Sequence, residues 1–156
     1  MTRTGTNDLE IRPAVAGELP AIVCLLADDA LGAQRERVED PLPACYAEAF
    51  AEIAADPHQE LIVAARGGTV VGCLQLTFIP GLSRQGALRA QIESVRVAAS
   101  ERGRALFEWA IARARTRGAV LMQLTTDKSR AQAHRFYEQL GFVASHEGMK
   151  LSLDPG

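Results

Sequence analysis

Hydrophobic positions follow two different periods along the chain. In four stretches they recur every three to four residues, as on one face of an α-helix. In shorter stretches they alternate or run together between glycine, proline and polar residues, which is typical of strands. The pattern predicts helices over about 17–26, 45–55, 104–117 and 131–140. It predicts strands over 9–13, 60–66, 69–79, 87–97 and 119–126, with two short final strands within 142–153.

The order of these elements predicts a mixed sheet. Gly67-Gly68 indicates a tight hairpin turn, and the strand over 87–97 extends the hairpin into an antiparallel meander. The strand–helix–strand crossover that follows requires a parallel pair. We therefore expect an α/β (α+β) fold with about six to seven strands, mostly antiparallel with one parallel pair, flanked by about four helices. The chain, 1–156, is interpreted as a single domain.

Composition and charge narrow the class of protein. The net charge of −2 argues against nucleic acid as a partner. No apolar run approaches the ~20 residues of a membrane span, and the N-terminus has no apolar segment like that of a signal peptide. Cys24, Cys45 and Cys73 lie far apart and match no zinc-binding spacing, so we expect free thiols and no metal. These features predict a cytoplasmic protein.

The stretch IESVRVAASERGR (92–104) places a strand, a short loop and a helix start in sequence. Helix N-termini attract anions because their first N–H groups are unpaired. Arg102 and Arg104 add positive charge, and Gly103 allows the backbone to approach a ligand closely. Taken alone, the same residues also fit an ordinary strand-to-helix turn with solvated arginines.

Tyr137 lies in the helix predicted over 131–140. Its ring fits the core with a hydrogen-bonded hydroxyl, which is the commoner role of a helical tyrosine. It equally fits a proton donor that faces a cleft between the two parallel strands. The residues alone do not decide between these two roles.

At this point three segments show a resemblance to a known family. LTTDKSRAQAHRFYEQLGF (124–142) resembles the closing motif of the GNAT family of acyl-coenzyme A-dependent N-acetyltransferases. IESVRVAASERGR (92–104) resembles the coenzyme-binding strand and the start of the pyrophosphate loop in that family, and LEIRPAVAGELPAIVCLL (9–26) resembles its first strand and helix. The resemblance extends over most of the chain and implies the GNAT fold. Homodimers are common among such proteins, so a homodimer is expected by resemblance alone.

The resemblance implies how acetyl-coenzyme A would be bound. The backbone of the strand at Val95, Arg96 and Val97 would pair with the pantetheine arm as an added strand does. Backbone N–H groups of the loop and helix start would hold the pyrophosphate, over Arg102, Gly103, Arg104 and Ala105. Arg130 stands where many relatives have an asparagine that contacts the coenzyme arm.

The resemblance also implies a catalytic arrangement. The acceptor amine would attack the thioester directly, with both substrates bound at once and no acyl-enzyme. Tyr137 matches the tyrosine that protonates the leaving thiolate. Glu93 is the candidate base for the substrate ammonium, directly or through water, although its position also fits an ordinary solvated glutamate. His134 and His146 are weaker candidates.

The predicted pyrophosphate loop departs from the family pattern. Relatives usually have Arg-Gly-x-Gly-x-Gly before the helix, whereas here Arg102-Gly103-Arg104 leads directly into Ala105. The loop is shorter by about four residues, roughly 6 Å of helix axis, so fewer N–H groups would face the phosphates. Three alternatives stay open: a contracted loop still binds the coenzyme, coenzyme binding is lost, or the natural loop is longer than the sequence given.

Two functions follow from this reading. The first is an N-acetyltransferase that moves an acetyl group from acetyl-coenzyme A to the primary amine of a small molecule. The acidic segment from Asp28 to Asp40 would suit a cationic amine, or it is only a set of solvated loop charges. The alternative is a non-catalytic GNAT-fold module that binds a ligand or partner and has lost coenzyme binding through the short loop.

Overall fold

A computed structural model describes residues 8–98, 101 and 103–155. Its centre is a five-stranded sheet in the order β1-β2-β3-β4-β5. The first four strands pair antiparallel, and β5 pairs parallel to β4. The strands are β1 Leu9–Pro13, β2 Gln59–Arg66, β3 Thr69–Pro80, β4 Leu88–Val97 and β5 Leu121–Leu124.

The mixed α/β sheet with one parallel pair is confirmed, but the expected number of strands is wrong. The sheet has five strands rather than six or seven, because the segment predicted to form two final strands, 142–153, contains none. Apart from Phe142, its large apolar side chains are exposed, as at Met149 and Leu151. A strand needs a neighbouring strand for its backbone hydrogen bonds, and an alternating side-chain pattern does not provide that neighbour.

The described part of the chain forms six helices around the sheet instead of the four that were expected. The two additional ones are short and lie in segments predicted to be loops. One of them begins after Asp29, whose Oδ1 accepts a hydrogen bond of 2.6 Å from the backbone N–H of Gly32 and so caps the new helix. The helices are α1 Leu19–Ala27, α2 Ala30–Arg35, α3 Ala44–Ala55, α4 Ser83–Gly86, α5 Arg104–Thr116 and α6 Ala131–Gln139, and a 3₁₀ turn, Ala16–Glu18, precedes α1.

The β2–β3 hairpin turns at Gly67 and Gly68, as predicted. Their φ angles are 56° and 82°, in the left-handed region. Glycine adopts that region without steric cost, and a two-residue turn of this kind matches the twist of the strands that it joins. Local chemistry therefore sets the pairing of β2 and β3 next to the turn, and the register shifts once between Ala64 and Ala65.

The two faces of the sheet have different coverings. On the face covered by α5 and α6, a buried cluster joins the sheet to α5: Ile62, Leu74, Leu76, Phe78, Ile92, Leu106, Phe107 and Ala110. On the opposite face, Ile22 of α1 packs against Val63 and Cys73. Burial raises the pKa of the Cys73 thiol to about 11, so this thiol stays protonated and unreactive. The α1 face beyond this small cluster is polar.

Strands β4 and β5 separate halfway along β4. Their parallel pairing covers only Arg89–Ile92 and Leu121–Leu124, whereas β4 continues to Val97. At the point of separation Ser94 has a φ of 53°, and the register with β3 shifts between Cys73 and Gln75. This is the geometry of a β-bulge, which bends its strand and is common beside functional sites. We call the place beside β4 beyond Ile92, where β5 no longer pairs with it, the cleft.

Candidate active site

Tyr137 projects from α6 into an aromatic cluster beside this cleft. Its ring centroid lies 5.5 Å from that of Phe107, 5.7 Å from Phe136 and 6.0 Å from Phe142. Burial raises the pKa of its hydroxyl, and the nearby cations of Arg130 and Arg96 offset only part of this effect. The phenol is therefore protonated at neutral pH, which is the state that a proton donor requires.

Two arginines and an aspartate connect three parts of the chain at this place. The Oδ2 of Asp29, between α1 and α2, lies 2.7 Å from Nη2 of Arg130 and 3.6 Å from Nη2 of Arg96. The pKa of Asp29 is lowered, first by the N–H of Gly32 and then by these two cations. These two ion pairs join the α1–α2 turn to β4 and to the start of α6.

Only some of the N–H groups of the Arg96 guanidinium have hydrogen-bond partners. Its Nη1 donates a hydrogen bond of 2.8 Å to the carbonyl of Val95. Its Nε is buried and has no hydrogen-bond partner among the residues that the structure describes. A buried donor without a partner is unusual in a native protein and calls for a specific explanation, such as a ligand or a water.

Glu93 lies on the other face of β4, in a row of polar side chains. The Nε2 of Gln91 donates to Oε1 of Glu93, and the Nε2 of Gln123 donates to Oε1 of Gln91 at 2.9 Å. Glu93 is exposed, and Gln75 stands opposite it across the β3–β4 pair. Tyr137 packs on the α5 face, whereas Glu93 belongs to the polar part of the α1 face, so the two approach the cleft from opposite sides of the sheet.

The predicted coenzyme residues lie along the part of β4 that β5 leaves unpaired, at the start of α5 and, in the case of Arg130, directly before α6. Val95 and Val97 are half-buried against the core. Among the residues that the structure describes, no side chain caps the N–H groups of the first turn of α5. Arg104 and Ala105 of that turn are exposed. Arg102 lies outside the residues that the structure describes.

Gly103 stands where three elements meet. A Cβ atom at this position would lie 3.3 Å from Cγ2 of Val97 and 3.5 Å from Cζ of Phe136. Together with Arg104, Phe136, Gln139 and Leu140, this glycine lines an open pocket between α5 and α6. The pocket lies at the positive end of the α5 dipole, which favours anions.

The structure also contains one link that the sequence did not indicate. The Nε and Nη2 of Arg66, at the end of β2, donate to the two carboxylate oxygens of Glu101 at 2.7 and 3.1 Å. Two parallel bonds of this kind orient both groups. They attach the loop before α5 to the end of β2, next to the hairpin turn. The partners are 35 residues apart in sequence, so no local pattern could indicate them.

Replacing Asp29 with asparagine should reduce the acid sensitivity of the fold. Because the folded pKa of Asp29 is lowered, its carboxylate stabilises the fold above its unfolded pKa of about 3.9. This contribution is lost as the pH falls through the folded value. Asp29→Asn should lower the free energy of unfolding by up to about 1 kcal/mol near pH 7.

The difference from the wild type should shrink toward pH 3. Asparagine keeps the acceptor for the Gly32 N–H, so the comparison isolates the charge of Asp29. Melting temperatures measured from pH 3 to pH 7 check this prediction. Parallel melting curves for the two proteins over the whole range would contradict it.

No described helix is long and apolar enough to cross a membrane. Among the described residues there is also no group of three or more histidine, cysteine, aspartate or glutamate side chains that could hold a metal ion.

Comparison with known proteins identifies the family. Over 105 residues, the chain is 33% identical to aminoalkylphosphonate N-acetyltransferase of Salmonella typhimurium, covering 65% of this chain and 68% of that protein. A transcriptional regulator from Bacillus halodurans, known from a crystal structure, has 53% sequence identity to this chain. The two structures match with a TM-score of 0.90 over 94% of this chain and 100% of that one. An acetyltransferase of Trypanosoma brucei is 27% identical, with a TM-score of 0.74 over 94% and 100%. Residues 26–142 match the model of the acetyltransferase (GNAT) family, and the chain belongs to that family.

Proposed function

We propose that this protein transfers an acetyl group from acetyl-coenzyme A to the primary amine of a small molecule, with both substrates bound together. The observation that carries the proposal is the position of a protonated Tyr137 beside the end of β4 that β5 leaves unpaired. This combines an open strand edge, on which an extended ligand can be bound, with an acid that can complete the transfer.

The residues present fit the coenzyme. The backbone of Val95, Arg96 and Val97 would pair with its extended arm, and the uncapped first turn of α5, from Arg104 to Ala105, would bind its phosphates. Gly103 has little room for a side chain, because a Cβ atom there would lie 3.3 Å from Cγ2 of Val97. Arg102 would add charge to the same region. The bound coenzyme supplies an acetyl group activated as a thioester.

Arg130 would have a divided role. Its guanidinium already contacts Asp29 at 2.7 Å, so only its remaining N–H groups could reach the coenzyme arm. The position of this side chain is therefore set by the α1–α2 turn. We propose that Asp29 orients both Arg130 and Arg96 and acts as a positioning residue.

Two groups would move the protons of the reaction. Glu93, exposed on the α1 face, would take a proton from the substrate ammonium, directly or through a water, so that the nitrogen lone pair becomes available. Tyr137, on the α5 face, would give its proton to the departing sulfur. The nitrogen lone pair forms the bond to the acetyl carbon as the bond from that carbon to sulfur breaks. The second proton that the nitrogen then loses, directly or through water, would replace the one that Tyr137 gave to the sulfur.

Arg96 points to the kind of acceptor. Part of the acidic charge before α3 is already paired: Asp29 contacts two arginines, and Glu39 contacts Arg37. The guanidinium of Arg96, whose side chain is partly exposed and lies 3.6 Å from Asp29, instead favours an amine that also carries an acidic group. The Salmonella relative is named for aminoalkylphosphonates, which have both groups, and we propose such a zwitterionic amine here.

The function is tested with the full chain after its intact mass is checked. Acetyl-coenzyme A would be incubated with a panel of amines of equal chain length that end in a phosphonate, a carboxylate or a methyl group. Acetylated product should be followed by mass, because the exposed Cys24 and Cys45 react with thiol reagents. Acetylation of the phosphonates at more than about 10 times the kcat/KM of the methyl analogues supports the proposal; one charged hydrogen bond accounts for such a factor.

A second candidate is a GNAT-fold module without catalysis. The short loop before α5 and the Bacillus halodurans relative named as a transcriptional regulator both favour it. Calorimetric titration with acetyl-coenzyme A separates the two candidates. A chain of the correct mass that shows no binding up to millimolar coenzyme supports the module and contradicts the acetyltransferase.

Glu93→Gln should slow the reaction most at neutral pH. An alkyl ammonium has a pKa of about 10.4, so near pH 7 nearly all acceptor must lose a proton before it can attack. We expect kcat/KM to fall about 100-fold at pH 7. The difference from the wild type should narrow as the pH approaches the pKa of the ammonium group. Glu10→Gln is the matched control, because Glu10 is exposed on β1 at the opposite edge of the sheet. An equal deficit at every pH would contradict the role of Glu93 as a base.

A further inference from the structure

An acidic side chain stands shortly before the helix turn that would bind the coenzyme phosphates. Glu101 lies three residues before Arg104, where α5 begins. A chain extends by at most ~3.6 Å per residue, so the backbone of Glu101 lies within roughly 11 Å of that turn. Like charges repel over such a distance, so an isolated carboxylate here would weaken the binding of an anion. Phosphate binding at α5 therefore calls for a compensating positive charge.

Arg66, at the end of β2, supplies this compensating charge. Its Nε and Nη2 donate hydrogen bonds of 2.7 and 3.1 Å to the two carboxylate oxygens of Glu101. The side chain of Glu101 is only 15% exposed, so the pair is partly shielded from water. The pKa of Glu101 is lowered, first by its hydrogen bonds with Arg66, so the carboxylate is ionised at neutral pH. Paired bonds of this kind fix the direction of the carboxylate as well as its charge.

Further contacts hold the turn that carries Glu101. The N–H of Ala98 donates to the carbonyl of Val71 on β3 at 2.8 Å, and the N–H of Glu101 donates to the carbonyl of Ala98 at 2.9 Å. Glu101 also lines a small cavity together with Gly72 and Val97. The carboxylate is therefore directed toward the β2–β3 hairpin, while the chain itself continues into α5.

We propose that Arg66 is a positioning residue for coenzyme binding, because it neutralises the Glu101 carboxylate and holds it toward the hairpin, away from phosphates bound at the first turn of α5. This inference rests on the proposed function, since the phosphates are those of acetyl-coenzyme A. Arg66 acts through Glu101 and does not touch the coenzyme. Without Arg66, Glu101 would present a negative charge to the same helix end that attracts the phosphates.

The alternative is an ion pair that only fastens the loop, and the two single variants separate these roles. The Kd of the full chain for acetyl-coenzyme A would be measured by calorimetric titration at low salt. Arg66→Gln should weaken binding about 10-fold, because it leaves the carboxylate uncompensated. Glu101→Gln should bind at least as tightly as the wild type, and the double variant should bind like Glu101→Gln. Equal weakening by both single changes would show a fastening role and overturn the proposal.

Two further measurements separate charge from structure. Arg66→Lys keeps the positive charge and should bind within a few fold of the wild type. The loss in Arg66→Gln should largely disappear at about 1 M salt, where charges more than ~3 Å apart are screened. A loss that is the same at low and high salt would contradict the electrostatic role of Arg66.

A donor without phosphates serves as the control for an intact site. S-acetylpantetheine has the thioester and the extended arm but no phosphate, so the wild type and Arg66→Gln should use it with equal kcat/KM. The kcat at saturating acetyl-coenzyme A should also be equal in the two proteins. A deficit of Arg66→Gln with both donors would indicate general damage to the site and would overturn the proposal. Glu101→Gln decides independently, because weaker binding by this variant contradicts the proposal whatever the stability of Arg66→Gln.

The wild type separates failure of this inference from failure of the proposed function. A wild type that binds no acetyl-coenzyme A overturns both. A wild type that binds the coenzyme no more tightly than Arg66→Gln does at low salt overturns the role of Arg66 alone and leaves the acetyltransferase standing.

Discussion

Tyr137→Phe is expected to lower kcat by about 10²- to 10⁴-fold, which is the usual contribution of a positioned proton donor. The KM for acetyl-coenzyme A should stay within a few fold, since the change removes only an oxygen. The phenylalanine ring preserves the contacts with Phe107 and Phe142 at 5.5 and 6.0 Å. Steady-state kinetics on the best acceptor of the panel would measure both quantities.

A pH profile shows whether the hydroxyl acts as an acid. Burial raises the pKa of Tyr137, so the donor is protonated below that pKa and is lost as the pH rises through it. The wild type should therefore lose kcat at alkaline pH, and the variant should lack this limb. An unchanged melting temperature is the control for folding. A variant that keeps the wild-type kcat would show that Tyr137 is only a core residue.

Phe107→Ala is expected to lower the free energy of unfolding by about 3–5 kcal/mol. Phe107 is 1% exposed, and its ring lies 5.4 Å from Phe136, 5.5 Å from Tyr137 and 6.4 Å from Phe142. Removing it leaves a cavity at the place where α5, α6 and the segment after α6 are held together. The melting temperature should fall by roughly 10 °C for a chain of this size.

Phe107→Leu is the matched variant, because it keeps an apolar side chain and removes the aromatic contacts. It should cost clearly less stability than alanine, but it should still lower kcat, since Tyr137 loses one of the rings that orient it. Chemical denaturation gives the free energies, and assays well below the melting temperature give kcat. A loss of less than about 1 kcal/mol for the alanine variant would contradict a central role for this ring.

The elements that the sequence predicted well are those set by short-range chemistry. Gly67-Gly68 indicated the hairpin because only a few residues tolerate two left-handed positions in a row. The strand–helix–strand unit that ends in β5 followed from a change of hydrophobic period and from the need for a crossover between parallel strands. In both cases the deciding interactions lie within the element or between sequence neighbours.

The elements that the sequence missed depend on distant partners. Helix α2 had an indicator, since Asp29 is of a residue type that commonly caps a helix. Its six residues are too few to show a helical pattern of hydrophobic positions. The pair of Arg66 and Glu101 had no indicator. The strands expected within 142–153 had the right alternation but are absent, because no neighbour in the described chain pairs with them.

The sequence by itself determined the class of fold and the family resemblance, and it supplied the prediction that residues from Val95 to Val97, Gly103 and Tyr137 belong to the site. These follow from side-chain periodicity and from motifs that are contiguous in the chain. Only the tertiary structure decided that Asp29 contacts Arg96 and Arg130, that β4 leaves β5 after Ile92, and that the last apolar segment stays exposed. Ion pairs and strand pairing depend on which distant groups come within a few ångströms, and a linear pattern does not contain that distance.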